Sequence, residues 1–308
     1  LGLAAALRSA GQQVTEHVMD TGPDADVRAV APGFTAELRS RWSRERPDVV
    51  HAFGWAGALV ALAAARDTGL PVVTAFGSLA VTERRHGPGP AQVKRARLEH
   101  AVGTASRAVI AASSEEADDL MRMGVGQRHI HVIPSGVDTS VFTPDGPVGP
   151  ETRRAEKAKP RILAVAGADD EQAVVLARAV ALVPGAELIT CPAGARGEEL
   201  AALLRSADVF VHVPAHAPRG TRCLEAMACG AAVIASPVGA HADMMVDGTT
   251  GLLVPSGRPE LLAARIRHLL GHSMLLDACG VAAADRARCR YSRDRVTAET
   301  TNVYEEAA

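Results

Sequence analysis

Lysine is scarce in this chain: of 33 basic residues only Lys94, Lys157 and Lys159 are lysines. The remainder are arginines in an alanine-rich sequence, which reads as codon bias rather than a binding adaptation. Net charge is -2, so the electrostatic footprint of a nucleic-acid binder is missing. Cysteine is sparse as well. Cys191, Cys223, Cys229, Cys279 and Cys289 form no C-x-x-C pair, and their odd number argues against a full disulfide set. Reduced thiols in a cytoplasmic protein are the expectation. Long apolar runs are lacking: the longest uncharged stretch, 52–65, is too short and too glycine-interrupted to span a bilayer. No G-x-G-x-x-G opens a βα unit, which weakens a nicotinamide-dependent dehydrogenase. An initiator Met is lacking too. Leu1 falls inside what reads as a helix, so the natural N-terminus is expected upstream and no leader can be judged.

What is present suits a two-domain α/β chain. The 308 residues, 47% of them hydrophobic, suffice for two medium domains. Short β-rich apolar runs alternate with helical stretches throughout. In the first half the pattern predicts a helix over 1–10, a strand over 13–18 and a helix over 34–46. A strand and loop over 47–55 and a helix to Arg66 follow, then a strand and loop over 70–78. A basic loop carries Arg84, Arg85 and His86. A helix over 93–103 bears Lys94, Arg95 and Arg97 ahead of Glu99. A strand over 107–113 leads to Ser114 as a cap and a helix over 115–123. Residues 145–160 are charged and rich in Pro and Gly, as a linker would be. Beyond them, strands are predicted over 161–167, 186–190 and 208–213, with helices over 174–182 and 198–206. Helices over 259–270 and 273–287 follow.

The stretch 218–230 organises the second half. Gly220 opens a turn and Thr221 can cap the amides that follow. Leu224, Met227 and Ala228 share one helical face, and Gly230 suits the position past the helix end. Residues 231–236 then read as a buried strand. A glycine-opened helix start after a strand is a good anion site, although an ordinary βα crossover has the same pattern. The wording here is more specific than the pattern. LEAMACGAAVIAS, followed by PVGAHADMMVDGTTGLLVPSG, resembles the donor-site block of retaining nucleotide-sugar glycosyltransferases of family four. RPDVVHAFGW and VIPSGVD, the latter followed by Phe142-Thr143-Pro144, resemble further blocks of that family.

The resemblance implies an α/β GT-B fold, with two Rossmann-like doubly wound domains facing across a cleft. It implies an acceptor-side domain over 1–145 with its first strand missing, and a linker over 146–160. A nucleotide-sugar-binding domain would follow over 161–287, with a C-terminal helix over 288–308 returning to the first domain. It further implies retaining transfer of a sugar from a nucleotide-sugar to a small hydroxyl acceptor, with no metal and no other cofactor. Glu225 would hold the nucleotide ribose, since a carboxylate can accept two adjacent O–H donors. The amides of Gly220, Thr221 and Arg222 would hold the diphosphate. His51, at the C-terminal end of a strand, is the catalytic candidate; a structural histidine bonded to backbone is the other reading. Ser78, Arg95 and Arg97 are candidates on the acceptor side, where arginine suits phosphate or carboxylate; a solvated helix face is the other reading of the arginines.

Several departures from the family wording bear on activity. Ala217 stands where the first glutamate of the donor block belongs. Gly77 replaces a histidine and Phe53 a second one. After the strand over 161–167 the family has an Arg and a Lys that grip the diphosphate. Here Ala168 is followed by Asp169, Asp170 and Glu171, a reversed charge unfavourable to a diphosphate, and Ala173 stands near the second cation's place. Arg219 replaces the usual Phe and reads either as a relocated diphosphate clamp or as a solvated surface arginine. These losses support a second class of reading: a catalytically degenerate, non-catalytic nucleotide-binding or partner protein. Asp24-Ala25-Asp26 matches D-x-D only as chance allows, and His129 and His131 lack a third ligand, so no metal site is expected. A homo-oligomer and an association with a partner enzyme both stay open, as do the base, the sugar and the acceptor.

Overall fold

The computed structural model describes residues 2–19, 27–85, 90–148, 159–165, 171–192 and 194–308. Asp24, Ala25, Asp26, His86, Ala168, Asp169 and Asp170 lie outside them. The chain divides into two compact units, Leu1–Pro134 with Val296–Ala308, and Ser135–Arg295.

The first unit carries a four-stranded parallel sheet. Helices α1 (Gly2–Ser9) and α2 (Val27–Arg44) precede β1 (Val50–Phe53), and α3 (Gly54–Ala65) leads to β2 (Val72–Ala75). The short α4 (Ala80–Glu83) and α5 (Pro90–Ala105) precede β3 (Ala108–Ala111), and α6 (Ser114–Arg122) precedes β4 (Ile130–Val132). The strands lie side by side in chain order, β1 to β4, all parallel. Parallel strands need both faces covered, which is why they read as continuous apolar runs. Leu38 and Trp42 of α2 and Ala58, Ala61 and Ala64 of α3 cover one face through Val72, Val109 and Ala111.

In the second unit, β5 (Arg161–Ala164), α7 (Glu171–Ala181), β6 (Glu187–Thr190) and α8 (Gly197–Arg205) precede β7 (Val209–His212). Next come α9 (Thr221–Ala228), β8 (Ala232–Ala235), α10 (Ala240–Met244) and β9 (Leu252–Leu253). Helices α11 (Pro259–Leu270), α12 (Ser273–Tyr291) and α13 (Arg293–Ala307) close the chain. The sheet order is β6-β5-β7-β8-β9, again all parallel. The side chains alternate strictly between faces, as the period of a strand requires. Leu163, Phe210, Val233 and Ala235 enter one core; Ile162, Ala164, Val209, Val211 and Ile234 enter the other.

The last helix supplies the second face of the first sheet. Val296, Val303 and Ala307 pack with Val73, Ala108 and Ile110, and each buried valine contributes about 1.5–3 kcal/mol. Residues 135–145 pack with the second unit: Val137 and Phe142 lie in its core. Asp138 accepts from Ser140 N–H at 3.1 Å and from Arg293 at 2.7 Å, and Val137 forms a parallel bridge to Ser292.

Two local expectations are corrected. Residues 13–18 form no strand; Arg8 holds the Val14 carbonyl and the Glu16 carboxylate, both at 2.9 Å, and Val18 is left 81% exposed. Without an apolar face to bury, the segment has no reason to join a sheet. Ser113, not Ser114, caps α6: its Oγ accepts from Glu116 N–H at 3.2 Å, and Glu116 reaches back to Ala112 N–H at 2.7 Å. This reciprocal pairing is the capping-box arrangement displaced by one residue.

Candidate active site

The turn between β7 and α9 is built around Gly220. Its φ of 59° and ψ of 18° are left-handed, a region closed to most side chains. Space forbids one too: a Cβ would stand 3.0 Å from His241 Cδ2 and 3.1 Å from Met244 Sδ. Gly220 is itself the N-cap, and no side chain caps the start of α9. The expectation that Thr221 caps the helix is therefore corrected: Thr221 is the first helical residue, and it faces solvent. The first amides of α9 stay open at the positive end of the helix dipole. The far end is closed instead. Gly230 N–H donates to Met227 O at 2.9 Å and Ala231 N–H to Ala226 O at 3.1 Å, the paired bonds of a Schellman motif.

A second backbone contact pins the neighbouring loop. Gly239 has φ 51° and ψ -134°, and a Cβ there would stand 2.2 Å from the Ala217 carbonyl oxygen. Ala240 N–H donates to that same oxygen at 3.0 Å. Position 217 is thus locked against the start of α10, with its small side chain buried.

Charge around the turn is unevenly paired. Arg222 donates to Glu225 at 3.0 Å and to the Ala195 carbonyl at 3.1 Å. Burial pushes the Glu225 carboxyl up, and Arg222 opposes that shift. Arg219 is exposed and makes no hydrogen bond or ion pair with a described residue.

In the first unit, His51 lies on β1 opposite Val73. Its Nδ1 meets the Tyr304 hydroxyl at 2.5 Å, and its ring stacks on Phe53 at 4.3 Å. Its Nε2 is buried with no hydrogen-bond partner among the described residues. Burial lowers the His51 pKa from 6.5 to about 4, so the ring is neutral at pH 7. Burial pushes the Tyr304 phenol the other way, so it keeps its proton. Ser78 Oγ donates to Glu83 at 2.8 Å. Arg95 donates to Glu83 at 2.8 Å, to Glu99 at 2.6 Å and to the Ser78 carbonyl at 2.6 Å. Its guanidinium is thus committed to the protein's own groups, whereas Arg97 is exposed with no such bond to a described residue. Ser78 and Arg95 share one network; Arg222 and Glu225 share an ion pair in the second unit, on the helix that Gly220 and Thr221 open.

Comparison with known proteins gives this arrangement a family. Residues 3–141 match Glycosyltransferase Family 4, and residues 149–272 match Glycosyl transferases group 1. A D-inositol 3-phosphate glycosyltransferase of Streptomyces bingchenggensis is 30% identical over 347 aligned residues, covering 96% of this chain and 76% of that protein. The chain belongs to glycosyltransferase family 4. Its fold is that of GT-B glycosyltransferases. Sucrose-phosphate synthase from Thermosynechococcus elongatus superposes with a TM-score of 0.82 at 21% identity, over 99% of this chain and 91% of that one. Anabaena HepE, solved in complex with UDP and glucose, gives 0.74 at 16% identity, over 94% and 86%.

As a family 4 glycosyltransferase, the chain also holds groups that its sequence did not flag. Tyr304, the partner of His51, comes from the last helix, 253 residues away; only the packing of that helix reveals it. Among the described residues, His212, Cys223 and His241 form a group whose ligand-type atoms all lie within 4.8 Å of one another. Their spacing along the chain matches no regular metal motif, so no sequence signal could have found them. No helix among the described residues is long and apolar enough to cross a membrane.

Proposed function

We propose that this glycosyltransferase moves a sugar, with retention, from a nucleotide-sugar to a small hydroxyl acceptor. The observation that carries the reading is the open start of α9, with unpaired Arg219 beside it and Glu225 one turn on. The amides of Gly220, Thr221 and Arg222 would receive the diphosphate. Arg219 would supply the cation that the family places elsewhere, and Glu225 the ribose contact, with no metal at the phosphates. His51, Ser78 and Arg97 are assigned to the acceptor side, His51 as a neutral hydrogen-bonding group rather than a cation. Arg95 holds that region in shape. The UDP and glucose bound by HepE support a uridine nucleotide as the first donor to try, and the named substrate of the Streptomyces relative supports a phosphorylated polyol as the first acceptor. Five free cysteines support a reducing, cytoplasmic location.

The experiment offers UDP-, GDP- and ADP-sugars with and without inositol phosphate and follows nucleoside diphosphate release. Release that depends on both substrates supports transfer, and inversion at the anomeric carbon would refute retention. One observation favours a second reading, a non-catalytic nucleotide-binding partner: the buried methyl of Ala217 replaces a carboxylate in the donor block. Nucleotide binding without release across the whole panel selects that reading.

A further inference from the structure

The three elements around the Gly220 turn each send one metal-type donor to the same point. His212 ends β7, Cys223 lies on α9 and His241 on α10. Cys223 Sγ lies 3.8 Å from His212 Nδ1, and the two imidazoles meet edge to face with centroids 5.0 Å apart. Cys223 and His241 are fully buried. Neither His241 ring nitrogen makes a hydrogen bond of good geometry. The Ser236 backbone acts on the ring only enough to offset part of the effect of burial.

That last point is the one a plain packing account fails on. A thiol–imidazole contact would satisfy Cys223 and His212 but leave His241, beyond the Ser236 backbone, with a bare ring nitrogen in a buried site. Buried polar groups in folded proteins find partners, and a neutral imidazole with a bare nitrogen is a metal ligand. We propose that His212, Cys223 and His241 bind one borderline-to-soft transition-metal ion of the zinc class, which staples β7, α9 and α10 beneath the Gly220 turn. Two imidazoles and a thiolate select such an ion over Mg2+ or Ca2+. The ion binds the thiolate, so the Cys223 S–H proton is released to solvent. The Ser236 backbone is placed as the outer-shell group that orients a metal-bound imidazole, and Ser236 is itself anchored through Oγ to the Pro214 carbonyl at 2.6 Å. The ion is structural: it fixes the open amides of α9 and does not depend on which donor the enzyme uses.

The full chain is loaded with Zn2+ or Co2+, freed of excess metal, and assayed for bound metal, for the thiolate-to-cobalt charge-transfer band and for melting temperature. One tightly held ion per chain, a charge-transfer band and a melting temperature raised by Zn2+ but not by Mg2+ are expected. The exposed Cys289 is the obvious adventitious thiol, so Cys289→Ser should keep all three readouts. Cys223→Ser should lose the band, and His241→Gln should lose the tight stoichiometry. If either of the latter fails to fold, the cobalt spectrum of Cys289→Ser decides the matter. No band in that protein, or a band that persists in Cys223→Ser, overturns the site.

Discussion

Arg95 stands between two carboxylates, and one of them, Glu99, is fully buried. Burial pushes the Glu99 carboxyl up, while the Ala80 N–H and Arg95 hold it down. Removing the arginine leaves a buried carboxyl without its counter-charge, a loss of about 3 kcal/mol. Arg95→Ala should therefore lower stability by that amount in urea titrations, with acceptor KM following only through unfolding. A selective rise in KM at unchanged stability would return Arg95 to the acceptor site. Glu225 is expected to behave in the opposite way. Glu225→Gln keeps the shape and removes the charge that meets ribose, so nucleotide affinity should fall by about 1.5–3 kcal/mol. Calorimetry checks this, and unchanged affinity with a lowered melting temperature would make Glu225 structural. Both residues could be picked from the chain as charged groups on helices. The resemblance also offered a ribose contact for Glu225, but the internal pairing of Arg95 could not be read, because the partners Glu83 and Ser78 reach it only in the folded unit.

At the scale of elements, α9 is the best-marked part of the chain. Its glycine at each end, its apolar face and the strand after it were all legible, because each is set by local backbone geometry and side-chain periodicity. The identity of the cap was not: Thr221 has the chemistry of a cap, but the left-handed Gly220 takes the position and leaves the amides open. The helix dipole disfavours a cation at that end by about 0.3–1 kcal/mol, a cost that a bound anion would offset. Arg219→Ala should weaken a nucleoside diphosphate by about 1.5–3 kcal/mol, the scale of a charged hydrogen bond, and leave the nucleoside unchanged. Equal losses for both ligands would remove the clamp. The segment 13–18 shows the reverse failure: residues that read as a strand did not make one, since Arg8 pairs with the Val14 carbonyl and most of the side chains, Val18 above all, stay exposed.

Across the whole molecule, the last helix is tied to the first sheet through an apolar seam, the His51–Tyr304 hydrogen bond and a bond from Arg107 Nε to the Ala307 carbonyl at 3.3 Å. His51 meets Tyr304 at the seam, and its depressed pKa makes that contact pH-dependent. The unfolded chain protonates this histidine near 6.5, the folded chain only near 4. Between those values the unfolded state binds the extra proton, so stability present above pH 6.5 is lost as pH falls toward 4. The slope is up to about 1.4 kcal/mol per pH unit. Unfolding free energies at pH 7, 5.5 and 4.5 should show this slope in the wild type and less of it in His51→Gln; identical profiles would show that other groups set the acid limb. The sequence by itself determined the family, the alternation of strands and helices, and the position of the donor-type turn. These follow from side-chain period, glycine placement and short contiguous wording, which the chain carries locally. The return of the last helix to the first unit was also expected from the family wording; the tertiary structure alone decided that its Tyr304 meets His51, that Arg95 is an internal ion-pair partner, and that His212, Cys223 and His241 converge. Each of these depends on contacts between residues far apart in the chain, and no local pattern encodes which distant side chains packing will bring together.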